Sequence, residues 1–524
     1  MKKGLKSFIA VLAAIVVIAS PLASANAQGW DFPLTEAVPA NATGVAVNEP
    51  SYFDQWNVRE AIVPGMDWNS AEVRVCPNGI DDKFCDPSKK HMTATSLLPA
   101  CLSATEENCI ESLTIIDASG NRNIGTFKKQ IDGETYKAVP EQNLLAASTV
   151  SLWEVPGAVN KGGTSTYSVA FKVEQSVIGQ KWVAKTVNAV VNPFSLRPGG
   201  QPSRTEEKPN DKGVMKVWQF HDPTCLWGDS TGCGVVEDFA DDVRVELSVR
   251  VPKSISGWFR GRIKAPEADI ASFSPTNSRV VMSGEPVKVA RMFALATKET
   301  TSSAGENLLV NTGGKNPNAA PFTGKSIRDF WANDRNIFSV IDEFRSAAKD
   351  TASGVSTLWN FSTIANESGD ECLSDNSRVL GIVTTNATGY DGSVPDFDGS
   401  RLTYQVAGLH YSTDGKELNL GTYDLLMRSD VARCLYKFTA APVSASITVV
   451  NDGVNKAVGT SVLKEKNGWL RLSAYGFTFS NPTIKIKLTQ KNKFKKTTIT
   501  CVKGSKIKKV TALGPKCPSG YREN

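Results

Sequence analysis

Val243-Arg-Val-Glu-Leu-Ser-Val-Arg-Val251 decides the fold class. Apolar and polar residues alternate strictly along it, the period of a strand with one face on a core and the other in water. Wound into a helix, the same residues would scatter their valines around the axis. The pattern recurs on both sides. Thr166 to Val173 and Trp182 to Val191 are rich in β-branched and aromatic residues, which suit a pleated surface. Further on, Ala445 to Val450, Trp469 to Leu472, Phe477 to Phe479 and Thr483 to Leu488 read as a meander of four short strands. The chain is therefore expected to be mainly β, with several β-sandwich-like domains, a minor helical insertion and a small disulfide-clipped basic C-terminal hairpin.

The helical insertion is placed between Asp329 and Lys349. There Phe330, Trp331, Ile337, Ile341 and Phe344 fall near helical spacing, and Ser326 stands where a cap is needed. Leu196 to Lys212 holds Pro-Gly-Gly and two further prolines and reads as linker. Thr300 to Thr323, rich in Gly, Asn, Ser and Pro, reads as a long exposed loop or a boundary. Divided at these points, the chain has a leader over 1–27 and a β-rich domain with four cysteines over 28–200. A β domain over 213–300 and a mixed β domain with the helix over 324–439 follow. An Ig-like β unit over 440–490 and a basic disulfide-clipped tail over 491–524 complete it.

Lys2, Lys3 and Lys6 precede an uncharged apolar run from Phe8 to Ala19, Pro21 breaks the run, and Ala25-Asn26-Ala27 closes the segment. These are the three regions of a secretory signal peptide, with cleavage expected near Ala27. The apolar run of about 12 residues falls short of the roughly 20 that a spanning helix needs. A cleaved leader is therefore expected, with no transmembrane segment after cleavage and a protein that is secreted or held at the cell surface.

Ten cysteines in an exported chain imply disulfides. They fall in local pairs: Cys76 and Cys85, Cys101 and Cys109, Cys225 and Cys233, Cys372 and Cys434, Cys501 and Cys517. Sequence leaves connectivity open, above all among the first four. The rival reading, a zinc site, would want C-x2-C spacing, which does not occur.

With 41% hydrophobic and 21% charged residues, composition is that of a globular protein able to bury cores. Charge is distributed unevenly. Ile484 to Asn524 holds eleven lysines and one arginine against one glutamate, a net +11, in a chain whose total is +6. With the leader at +3, residues 28–483 carry −8, so a mildly acidic body bears a strongly basic end. Thr498 to Val502 and Ile507 to Val510 can pair across Gly504-Ser505, with Cys501 and Cys517 closing a loop. Lys491, Lys493, Lys495, Lys496, Lys503, Lys506, Lys508 and Lys509 are the candidate envelope-binding residues. Outside a cell such lysines meet an anionic envelope polymer or lipid headgroups. Export and the lack of interleaved aromatics argue against nucleic acid. The plain alternative is a solvated end that only aids solubility.

Catalytic signals are sparse. The three histidines, His91, His221 and His410, leave little room for Ser-His-Asp, Cys-His or zinc-histidine schemes. No G-x-S-x-G elbow, H-E-x-x-H or P-loop occurs. No catalytic residue, metal ligand or cofactor is assigned. Asp238, Asp241 and Asp242 read as a solvated turn before the Val243 strand. Asp391, Asp396 and Asp398 with Gly399 resemble half of a calcium loop whose closing glutamate is missing. Trp227 and Trp258 are the candidate sugar-stacking platforms among eleven tryptophans, most of which should anchor cores. The N-x-S/T triplets at Asn360, Asn366 and Asn386 carry little weight.

Thr497-Thr-Ile-Thr-Cys-Val-Lys-Gly504, Val510-Thr511 and Pro515-Lys-Cys-Pro-Ser-Gly-Tyr521 resemble a short C-terminal module of secreted actinobacterial proteins. Asn467-Gly-Trp-Leu470 with Ala474-Tyr-Gly-Phe-Thr-Phe479 resembles the β unit that precedes it. Cys225-Leu-Trp227, Asp238-Phe-Ala-Asp241 and Gly257-Trp-Phe-Arg-Gly-Arg262 resemble a larger uncharacterised secreted group. The resemblance implies export and envelope association and assigns no mechanism.

The expectation is thus a secreted or cell-surface, non-enzymatic protein of adhesive, recognition or envelope-structural role, its basic tail on an anionic envelope polymer. A carbohydrate-binding or carbohydrate-cleaving exoprotein, with a surface glycan as partner, is the first alternative. A surface-layer or assembly subunit is the second.

Overall fold

The computed structural model describes residues 38–49, 92–131, 135, 137–178, 181–197, 232–311, 321–324, 326–364, 370–375, 377–439, 443–451, 454–457, 460–479, 483–490, 497–512 and 515–524, with short strand segments at 62–64, 73–74, 204–206, 214–215, 217–219 and 227–229. The leader, Cys76, Cys85, His91, Cys225, His221, Asn366 and Lys491 to Lys496 lie outside them. The protein is mainly β. Three α-helices occur among the described residues: Ser303–Asn311, Ile337–Phe344 and Ser429–Tyr436.

A large sheet forms the middle of the fold. Its path runs through Met92–Leu97, Thr166–Ile178, Lys181–Arg197, Asn360–Ile364, Gly257–Arg262, Val379–Thr385, Leu420–Arg428, Trp469–Thr478 and Thr460–Lys466. One pairing on this path, Gly257–Arg262 with Val379–Thr385, is parallel. A five-stranded sheet, Lys264–Ser272, Asn277–Glu285, Arg244–Pro252, Cys109–Ile116 and Arg122–Ile124, covers one face. Arg244–Pro252 is its middle member, and Val245, Leu247, Val249 and Val251 enter the core as their alternation requires.

Strands in the middle of the large sheet feed two different cores. Phe259, Ile382, Leu426 and Trp469 point to the five-stranded sheet. Their neighbours Trp258, Val383, Leu425 and Leu470 join a second core with Tyr404, Ile484 and Ile486. That second core is closed by the sheet of Gly389–Tyr390, Leu402–Ala407, Thr483–Gln490, Val443–Asn451 and Val454–Ala457, by the helices, and by a four-stranded sheet around Ala42–Asn48 and Val287–Thr297. Val379–Thr385 is accordingly buried at every position. A strand covered on both faces has no polar face to reveal its period. Gly381 makes the layering fit, because a Cβ there would clash with the Trp258 ring.

Strand pairing joins segments that lie far apart in the chain. Lys181–Arg197 pairs with Asn360–Ile364, Ala42–Asn48 with Val287–Thr297, and Leu420–Arg428 with Trp469–Thr478.

Three local expectations are corrected. Ile327–Trp331 is a strand, parallel to Ala42–Asn48, and the helix occupies only Ile337–Phe344. Arg328 and Phe330 point inward while Asp329 and Trp331 point out, a period of two over too few residues to separate from helical spacing. Ser326 gives its carbonyl to Gly44 N–H instead of capping a helix. Second, the expected loop from Thr300 begins with the helix Ser303–Asn311, where the Ser302 hydroxyl accepts from Gly305 N–H at 3.1 Å. Third, Trp469 to Leu472 and Phe477 onward belong to one strand, Trp469–Thr478, with an irregular register near Gly476, whose φ is +76°. That strand lies in a different sheet from Val443–Asn451 and Thr483–Gln490, so the four segments form two layers and not one meander.

Candidate functional site

Thr497–Lys503 and Lys506–Ala512 form the expected antiparallel hairpin, with Lys503 opposite Lys506. Gly504 takes φ +59° in the two-residue turn, the left-handed conformation that glycine accepts without a Cβ clash. Arg522–Glu523 adds a short third strand along Thr497–Lys503. Cys501 is fully buried and bonded to Cys517, with Cα atoms 5.6 Å apart. The Thr498 and Thr511 hydroxyls meet across the strands at 2.8 Å. Lys503, Lys506, Lys508 and Lys509 are all exposed on this clipped frame. A rigid support lowers the entropy cost of presenting several cations on one small module.

Two further disulfides join the cysteine pairs read from spacing. Cys101 and Cys109 close a short loop, Cα atoms 5.0 Å apart. Cys372 and Cys434 tie the turn at 370–373 to the helix Ser429–Tyr436, 5.8 Å apart. Cys233 is placed in the strand Gly232–Val236.

Charged groups inside the body act as pins. Arg262 is fully buried, and its guanidinium meets the Glu49 carboxylate at 2.7 Å. It also donates to the Thr385 and Ala387 carbonyls at 3.0 and 2.7 Å and lies 4.4 Å from the Tyr390 ring centroid. On the outer face of the five-stranded sheet, Glu111 accepts from Arg250 at 2.7 Å, Arg279 at 2.5 Å and Ser248 at 2.6 Å. Arg250 in turn donates to the Ser103 and Glu106 carbonyls of the Cys101–Cys109 loop. Asp424, fully buried, accepts from Ser473, from the Tyr475 hydroxyl at 2.7 Å and from Ala265 N–H at 3.0 Å. Burial holds its carboxyl above the ordinary carboxylate range against those donors. These partners come from strands and loops far apart in the chain, which is why no sequence spacing announces them.

The other candidates are placed as follows. Trp258 is 1% exposed and donates its indole N–H to the Leu373 carbonyl at 3.1 Å, so it anchors a core and offers no face to a sugar. Trp227 is placed in the strand Trp227–Asp229. Asp241 pairs with Lys161 at 2.9 Å on the surface. Asp391 and Asp398 each accept from the backbone N–H two residues on, forming separate turns. No group of three or more His, Cys, Asp or Glu side chains that could hold a metal occurs among the described residues. His410 is held by Asp350, Nδ1 to carboxylate at 2.5 Å, with Arg345 beside it at 3.4 Å. Asn360 is buried in a strand and Asn386 donates to the Leu420 carbonyl, so both serve the fold.

A cleft of about 190 Å³ opens between the five-stranded sheet and the Thr460–Lys466 and Trp469–Thr478 strands. Glu246, Glu267 and Asp269 line one wall, Lys464 and Arg471 the other. Much of the charge is already matched, Lys464 to Glu267 at 3.8 Å and Glu246 to Arg122 at 2.6 Å. Trp469, at the base, is 8% exposed. The walls read as an ion-paired seam between layers.

No protein-family profile, curated protein or solved structure matches this chain. No helix among the described residues is long and apolar enough to cross a membrane.

Proposed function

We propose that the protein is exported and works at the cell surface as a non-enzymatic structural or recognition protein, held there by its basic end on an anionic component of the envelope. The observation that carries this reading is the clipped hairpin itself, which presents Lys503, Lys506, Lys508 and Lys509 together. The amino-terminal leader and the disulfides support export, because such bonds persist in oxidising surroundings. The body is knit by buried charged groups and by cores on both faces of its large sheet, as suits a load-bearing or recognition scaffold. The resemblance of the tail to a module of secreted actinobacterial proteins agrees with it.

Fractionation of native cells tests the proposal. Low-salt washes should leave the protein on the cells, and washes near 1 M salt, where the screening length falls to about 3 Å, should release it. Recovery inside the cell with the leader intact and reduced cysteines would overturn it.

A further inference from the structure

The hairpin carries an apolar feature that charge alone does not explain. Ile507 is 70% exposed, two residues past the turn, on the outer strand of the small sheet. Cross-strand partners share a face, so Val502 lies beside Ile507 and Thr500 beside Lys509. Arg522 pairs with Val502 and joins the same face. Cys501, with its disulfide, and Lys508, Lys503 and Lys506 take the opposite face. The result is a polarised module: Val502 and Ile507 share one face with Lys509 and Arg522, and the disulfide lies on the other with Lys503, Lys506 and Lys508.

Resting on the surface-retention reading above, we infer that this face docks on a bilayer containing anionic lipid. A hydrophilic polyanion gains nothing from an exposed isoleucine. A lipid interface accepts the apolar side chain among its acyl chains while lysines and arginine reach the headgroups. The long stems of Lys506 and Lys508, on either side of Ile507, can bend around the strand edge to bring their ammonium groups to the same plane. The pairing of an apolar anchor with Lys509 and Arg522 on the same face, and with the flanking Lys506 and Lys508, is a two-signal attachment, reversible and sensitive to salt.

The test uses the full chain freed of its leader, with co-sedimentation on phosphatidylcholine vesicles with and without about one-third phosphatidylglycerol. A polyphosphate resin run in parallel reports attraction to a soluble polyanion. The wild type should bind the anionic vesicles and ignore neutral ones. Ile507→Thr, which keeps a strand-forming residue, should weaken vesicle binding about tenfold and leave resin binding unchanged. Triple replacement of Lys506, Lys508 and Lys509 by Gln should abolish both, with an unchanged thermal melt showing that the body remains folded. Vesicle binding by Ile507→Thr equal to wild type, or resin binding without vesicle binding, overturns the lipid assignment while the retention reading stands. Binding to neither support overturns both.

Discussion

Replacement of Glu111 by Gln isolates one charge that holds a disulfide loop to a sheet. Burial on its own would raise the Glu111 carboxyl, but hydrogen bonds from Ser248, Arg250 and Arg279 and the charge of Arg279 outweigh it, and the group titrates at about 2 against an ordinary 4.5. Each unit is worth about 1.4 kcal/mol, so the full depression corresponds to roughly 3 kcal/mol. The carboxylate is 21% exposed and Arg279 49% exposed, so solvent screening reduces the expected contribution to about 1–2 kcal/mol. Because the folded value lies below the unfolded one, this stability is fully present above pH 4.5 and fades as pH falls toward 2. Urea unfolding of wild type and Glu111→Gln, followed by tryptophan fluorescence, should show that gap at pH 7, a smaller one at pH 3.5 and almost none at pH 2. A gap that stayed constant down to pH 2, or none at pH 7, would refute the reasoning. Loosening of the Cys101–Cys109 loop should accompany the loss, since Arg250, which donates to the Ser103 and Glu106 carbonyls, would lose the counter-charge that holds it in place. Faster amide exchange at 103–108 reports it.

Two other perturbations bear on the body. Arg262→Ala should cost about 3–5 kcal/mol because it strands the Glu49 carboxylate, itself 9% exposed, inside the fold; a loss under about 1 kcal/mol in urea unfolding would mean that water or another cation reaches Glu49. Cys434→Ser opens a bond spanning 62 residues, for which loop entropy predicts about 4 kcal/mol; an unmoved urea midpoint would show that the layers hold the Ser429–Tyr436 helix without the bond.

Some of this could be read directly. Hairpin, turn and clip at the C-terminus are local: Gly504 at the bend, cysteines on short spacing, alternating residues on both sides. Those features act within a few residues, so the expected pairing of Thr498–Val502 with Ile507–Val510 agrees with the register. Spacing places Ile507 in that strand, yet its exposure depends on the strand being at the sheet edge. Alternation along Val243–Val251 puts Arg250 on the polar face, and it is buried because the Cys101–Cys109 loop lies over it. The helical spacing around Phe330 failed for a related reason. Five residues can satisfy either period, and pairing with Ala42–Asn48, far away in the chain, decides between them.

By itself the sequence determined the β class, the strand chemistry and the unequal charge of body and tail. Each follows from side-chain pattern acting over short range. Tertiary structure alone decided which strands share a sheet, that the middle sheet is covered on both faces, and that Trp258 and Arg262 lie inside. Those outcomes depend on what covers a strand's second face, and the covering residues come from segments a hundred or more positions away, such as Glu49 for Arg262.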